Sequence, residues 1–223
     1  MLLLLYGKDG MTILNTAPLT PKAFSQAIKH LCDSDPDLAQ ILTILEPPPF
    51  RTRKPGFASL MHIILEQQVS LASAKASFDR LRRSVSPLTP ERFLKLGDAR
   101  LKACGFSRQK TAYGRNLAKA IVGGHLKLSA LETMEDQSVR SELLKIKGIG
   151  PWTANIYLLT VLRRPDIWPS EDLALAVAAQ KIKRLKTRPT PKELKSLSMV
   201  WKPWRAVAAR LLWHYYIETV LKK

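Results

Sequence analysis

"LLKIKGIGPWTANIYLL", residues 143–159, sets two glycines and a proline between two apolar runs of helical spacing. Glycine is unfavourable inside a helix, so Gly148-Ile149-Gly150-Pro151 is read as a break between two helices. One helix ends near Ile146 and the next starts at Pro151, because proline suits the first helical position. The glycines of such a turn can adopt positive φ and leave the backbone bare. Free amides and the positive end of the second helix then form an anion site, flanked by Lys145 and Lys147. A nucleic-acid phosphate is the natural ligand; the plain alternative is a glycine-capped turn between two packed helices.

Composition favours the phosphate. The chain has 223 residues, 46% of them apolar, and a formal charge of +18. That is a folded protein with a surplus of cations, which points to a polyanion. A membrane fits poorly: "MLLLLY" is shorter than a spanning helix or a signal peptide's apolar region, and no later stretch approaches about 20 apolar residues. Residues 1–10 read as a mis-assigned start before Met11, within a variable tail over 1–19. Cys32 and Cys104 stand alone, without a metal-ligand or disulfide pattern, which suggests a reducing, intracellular setting.

Helical patterns dominate the remainder. Thr20-Pro21 opens a helix carrying Phe24, Ile28 and Leu31 on one face. The basic, proline-rich "EPPPFRTRKPG" (46–56) reads as a linker. After it, Phe57, Leu60, Met61 and Ile64 and then Ala72 and Phe78 mark two helices, the second capped by Ser70. Leu94, Leu101, Leu117 and Ile121 mark short helices punctuated by Gly105 and Gly123-Gly124, and Pro203 to Leu221 reads as one long amphipathic helix. Strand patterns are confined to "MLLLLY" and "TILN".

A second acid-bearing stretch, "WPSEDLALAVAAQKI", follows the hairpin. Ser170 is read as its N-cap, placing Glu171 and Asp172 in the first turn, where the helix dipole favours carboxylates. Both acids can be ordinary first-turn residues. A carboxylate beside a phosphate site, however, opposes DNA binding and calls for a catalytic or metal-related reason.

Five segments together resemble the helix-hairpin-helix (HhH-GPD) DNA glycosylases of the 3-methyladenine DNA glycosylase II kind, from about Pro47 to the C-terminus. They are "GFASLMHIILEQQVSLASAKASF", "ACGFSRQKTAY", "LLKIKGIGPWTA", "WPSEDLAL" and "WKPWRAVAARLLW", in the family's order. The resemblance implies a mainly α, two-lobed fold with the active-site cleft between a central lobe (about 55–142) and a second lobe (about 20–50 with 143–223), in the short form without an N-terminal sheet domain. It implies excision of a flipped, alkylated base from double-stranded DNA by a monomer, with no cofactor and no iron–sulfur cluster. Such an enzyme works in the cytoplasm or nucleoid of a bacterium or the nucleus of a eukaryote.

By position in "PSED", Asp172 matches the family's essential aspartate, with Glu171 a bystander. Trp152 and Trp213 match pocket aromatics, with Tyr157 nearby, while Ile156 and Leu173 stand where some relatives have tyrosine. Gly148, Gly150, Lys145, Lys147, Thr153 and Ser70 are carried over as DNA contacts. Gln68 matches the residue that fills the gap left by the flipped base, its bland alternative being a polar residue at a helix end. The carbonyls of Leu144, Ile146 and Ile149 match a monovalent-cation site bridging to phosphate. Relatives that also nick the backbone carry a Schiff-base lysine two residues after the second hairpin glycine; Trp152 stands there, implying a monofunctional enzyme. The rival readings are a non-catalytic DNA-binding module, which leaves Asp172 and the tryptophans idle, and a glycosylase for hypoxanthine, ethenoadenine or uracil. "AQKIKRLKTRP" is read as a solvated, DNA-facing surface rather than a membrane helix.

Overall fold

The computed structural model describes residues 17–222, and these fold as helices joined by turns, without a strand among the described residues. The proposed start at Met11 and the candidate strands "MLLLLY" and "TILN" lie outside the described residues. Helix α1 (Pro21–Ser34) starts where the sequence places it, the Thr20 hydroxyl accepting the Ala23 amide and proline following at once. α2 (Pro36–Ile44) repeats the device with Asp35, whose carboxylate accepts from Asp37 and Leu38. After the linker come α3 (Phe57–Glu66) and α4 (Leu71–Ser84), the latter capped by Ser70 through the Ser73 amide. α5 (Pro90–Leu94), α6 (Asp98–Ala103) and α7 (Arg108–Val122) follow; α7 has 15 residues and is not short.

α8 (Asp136–Leu144) and α9 (Pro151–Thr160) flank the hairpin. α10 (Leu173–Ile182), α11 (Pro191–Leu197) and α12 (Arg205–Tyr215) complete the set. The long C-terminal helix expected from Pro203 to Leu221 is shorter at both ends. Pro203 lies in a turn and Trp204 is the N-cap, while Tyr216–Leu221 continue as a π-helical turn. Tyr216 and Ile217 of that turn line the cleft described below.

α3 is buried on nearly all sides, with Leu60, Met61, Ile63, Ile64 and Leu65 at 1% exposure or less. It packs on α4, α7 and α9, so the hairpin that leads into α9 is braced by central helices. α12 packs on α1, α2 and α10 in the same way. Arg210 of α12 fastens the proline-rich linker between these groups: its guanidinium donates to the carbonyls of Arg51 (2.7 Å) and Leu159 (3.0 Å) and lies over the rings of Phe24 and Phe50. Burial, with the nearby Arg53 charge, pushes Arg210 down to about 10. No helix of the described residues is long and apolar enough to cross a membrane.

The ends of α2 and α10 meet at an ion cluster. Lys183 donates to both oxygens of Asp35 (2.8 and 2.7 Å) and to Asp37 (3.0 Å), while the Trp201 indole donates to Asp35 at 2.7 Å. Burial raises the Asp35 carboxyl, but the hydrogen bonds from Lys183 and Trp201 outweigh it and hold the group below its usual range. A carboxyl depressed in the folded state adds stability above its unfolded value, about 3.9, that is lost as pH falls through the folded value. Asp35→Ala should cost about 1–3 kcal/mol by leaving the buried Trp201 indole without an acceptor, Lys183 keeping Asp37, measured by urea unfolding at neutral pH. Asp35→Asn should make stability fall less steeply with acid below about pH 4.

Candidate active site

A cleft of about 1560 Å³ opens between the hairpin, the turn at Glu66–Leu71, the Pro48–Arg53 part of the linker, the start of α7 and the end of α12 with its π-helical turn. Two helices begin at or beside it. Gly150 is the N-cap of α9, and the first intrahelical bond runs from the Ala154 amide to the Gly150 carbonyl, so the Trp152 and Thr153 amides precede the ladder. Asp172 is the N-cap of α10. This corrects the reading of Ser170 as cap with both acids in the first turn. Pro169 to Asp172 instead close a tight turn through the Asp172 amide, and the Asp172 carboxylate takes the Leu175 amide.

That carboxylate, 9% exposed, is the most elaborately held group at the cleft. Its Oδ1 accepts from the Leu175 amide and the Trp213 indole, both at 3.0 Å, and its Oδ2 accepts from the Trp152 indole at 2.8 Å. Each carboxylate oxygen has room for two donors. Oδ1 is therefore filled, and Oδ2 keeps one acceptor direction. Trp152 and Trp213 are half-buried and line the cleft, so they serve both as cleft walls and as donors to Asp172. Glu171 is exposed and lines the cleft, its carboxylate meeting only the Ser170 hydroxyl at 3.3 Å.

Tyr157 is not part of this wall, contrary to expectation. It is fully buried in the core, its hydroxyl has no partner among the described residues, and burial pushes it up to about 12. Ile156 lines the cleft instead, as does Leu173, which is 59% exposed. The two positions that the resemblance gives as tyrosine in some relatives thus line the cleft, and aliphatic groups fill them here.

The two hairpin glycines differ. Gly148 has φ +109, and a Cβ there would meet the Tyr113 ring at 2.3 Å, so both conformation and packing demand glycine. Gly150 has φ −97 and ψ −179, extended backbone open to any residue, and a Cβ there meets nothing within 4 Å. The expectation of positive φ holds for Gly148 and fails for Gly150, whose bareness leaves open space at the start of α9.

Gln67 fixes the hairpin in place, a role the sequence did not reveal. Its amide nitrogen donates to the Gly148 carbonyl and to the Thr153 hydroxyl, both at 2.9 Å. Thr153 is buried, and its hydroxyl is engaged by Gln67 rather than left free for a DNA contact. Beside Gln67, Gln68 is exposed at the cleft with φ +55, rare for a residue with a side chain. Val69 and Leu71, 44% and 53% exposed, flank it with Ser70. Strain and exposed apolar groups at one turn are features of functional edges. On the far side, Tyr113 accepts from Gln109 at 2.7 Å, and the Lys110 ammonium donates to the Leu65 carbonyl at 2.5 Å.

The remaining candidates are peripheral. Lys145 and Lys147 are exposed and do not line the cleft; Lys145 pairs with Glu142 at 2.6 Å, and the Lys147 carbonyl accepts from Asn116. The Ile146 carbonyl accepts the Ile149 amide at 2.9 Å, with the side chains of both isoleucines buried and that of Leu144 44% exposed.

The family model described as HhH-GPD superfamily base excision DNA repair protein matches residues 61–204. The chain is 30% identical to the DNA-3-methyladenine glycosylase 1 of Schizosaccharomyces pombe, over 72% of each. It is 32% identical to the DNA-3-methyladenine glycosylase of Bacillus subtilis over 55% of this chain and 41% of that one. The chain spans about half the length of the Bacillus relatives it matches. Among solved structures, the S. pombe 3-methyladenine DNA glycosylase Mag1 in complex with abasic DNA superposes with a TM-score of 0.80 at 26% identity, over 87% of this chain and 98% of that one.

The unequal glycines give a direct test by thermal or urea unfolding. Gly148→Ala should cost about 2 kcal/mol or more, because the Tyr113 ring has to move from a packed position. Gly150→Ala should cost less than about 1 kcal/mol, the loss expected at an N-cap without side-chain bonding.

Proposed function

The chain belongs to the HhH-GPD superfamily of base excision DNA repair proteins, and we propose that it is a monofunctional DNA glycosylase that releases alkylated bases of the 3-methyladenine and 7-methylguanine type from duplex DNA, leaving an abasic site. The observation that carries this reading is the Asp172 carboxylate, gripped by a helix N-terminus and by two indoles, Trp152 and Trp213, that themselves line a cleft large enough for a nucleotide, as do its chain neighbours Glu171 and Leu173. The names of the S. pombe and B. subtilis relatives support the substrate class.

A base inside a duplex is unreachable, so the nucleotide has to leave the stack. The exposed Gln68 turn is suited to occupy the gap, and the α9 amides to hold a backbone phosphate beside it. Cleavage of the N-glycosidic bond builds positive charge on the sugar, as in other glycoside hydrolysis. A carboxylate fixed in advance stabilises that cation without reorganising, and the open direction on Oδ2 suits a water. The electron-poor ring of an alkylated purine is attracted to indole faces, which Trp152 and Trp213 offer. Binding as a monomer, with a monovalent cation at the Leu144, Ile146 and Ile149 carbonyls, completes the proposal; the Ile146 carbonyl keeps a second lone pair for such an ion.

The deciding experiment incubates the protein with duplexes containing 3-methyladenine, 7-methylguanine, ethenoadenine, hypoxanthine or uracil, and reveals abasic sites with alkali. Release of the alkylpurines is expected, and Asp172→Asn should slow it by about 100-fold or more while duplex affinity holds or rises. Near-normal excision by that variant would overturn the role given to Asp172.

Monofunctionality rests on amines. Trp152 cannot form an imine, and Lys110, the one lysine lining the cleft among the described residues, already donates to the Leu65 carbonyl. Borohydride added during turnover should therefore leave no covalent protein–DNA adduct on a denaturing gel.

A further inference from the structure

A second groove, of about 990 Å³, lies beyond the C-terminal end of α10 and shares no lining residue with the cleft. α10 starts directly after its cap, Asp172, and spans ten residues, so its far end is about 15 Å away along the helix axis. The groove is bounded by the turn after α10, by α11 and by Val200, which is 74% exposed. Residues 181–197, "KIKRLKTRPTPKELKSL", hold seven basic residues and one acid.

Two of those cations are committed to the fold: Lys183 to Asp35 and Asp37, and Arg184 to Gln40 and Asp37. The acid, Glu193, is engaged with Thr190 in a capping box. The five others, Lys181, Lys186, Arg188, Lys192 and Lys195, are exposed and have no side-chain partner among the described residues; Lys186 and Lys192 line the groove, and Arg188 stands between Thr187 and Pro189, which line it too. Like charges gathered without counter-charge repel one another, and a polyanion relieves that repulsion. The hydroxyls of Thr187 and Ser196, also at the groove, are the kind of group that joins lysine and arginine in phosphate contacts.

Resting on the glycosylase reading, we propose that this distal groove is a second duplex-DNA contact, which grips phosphates of DNA outside the segment held at the hairpin. The favoured occupant is DNA because a protein already bound to a duplex meets the neighbouring phosphates at high effective concentration. The groove reads no bases. It adds affinity for undamaged DNA and keeps the protein on long duplexes while the cleft samples base pairs.

The test compares wild type with a Lys186→Gln, Arg188→Gln, Lys192→Gln triple variant on two substrates, and includes a Lys102→Gln, Lys119→Gln, Lys127→Gln control that removes the same charge from exposed positions elsewhere. On a damaged duplex of little more than one helical turn, single-turnover excision should be unchanged in the groove variant. On undamaged duplex of several turns, its affinity should fall about tenfold or more, with the log–log salt slope shallower by about 0.9 for each phosphate that the variant no longer neutralises. The control should retain more of both. Equal decreases in the control and groove variants, or unchanged affinity and slope in the groove variant, would overturn the proposal. Failure of wild type to excise any lesion from the short duplex would instead count against the glycosylase reading, and the long-duplex comparison would still report on the groove.

Discussion

A carboxylate removed from water is costly unless donors replace its hydration, and Asp172 finds its donors on three separate elements. The Trp152 indole comes from the start of α9, the Leu175 amide from α10 itself, and the Trp213 indole from α12. None of the three can shift far without leaving a nearly buried acid short of a partner. One side chain thus ties the hairpin helix, the acid-bearing helix and the C-terminal helix into a single arrangement, and the cleft is the space they leave.

The hairpin is held by similarly few groups. Gln67, at the end of α3, bonds to the Gly148 carbonyl and the Thr153 hydroxyl, while Gly148 lies against the Tyr113 ring where no side chain fits. The end of α3 and the Tyr113 ring of α7 therefore both set the position of the turn. The neighbour of Gln67, Gln68, is pushed into a left-handed backbone with its side chain in solvent. The residue that clamps the hairpin and the residue that projects into the cleft are adjacent, so the distance between turn and projection is built into one peptide unit.

Features written in local chemistry were legible from the chain alone. The break at Gly148–Pro151, the caps at Thr20 and Ser70 and the all-helical character depend on neighbouring residues, and the structure has them where the pattern places them. Other features required tertiary information. Tyr157 lies five residues from Trp152, about 140° round the helix, whereas Ile156 lies four away and about 40° round. Spacing could have shown that only Ile156 shares the cleft face. Ser170 and Asp172 are both good caps by type, and it is the indoles of distant helices that favour Asp172. Gln67 looked like an ordinary polar helix end because both of its partners lie more than 80 residues away.

The choice of indole as the partner of the acid has a chemical consequence. In a chain with a formal charge of +18, an arginine or lysine would be the commonplace neighbour for a buried carboxylate, as Lys183 is for Asp35. Such a partner would cancel the charge it holds. An indole N–H is a neutral donor: it orients the carboxylate and stands in for water, yet brings no full counter-charge, so that only the N-terminal dipole of α10 offsets the carboxylate. The two acids are held in opposite ways for opposite purposes. Asp35, matched with an ammonium, joins helices and has no charge left to offer. Asp172, matched only with neutral groups, retains a fixed negative potential, which is the property needed where positive charge develops on a sugar during bond cleavage.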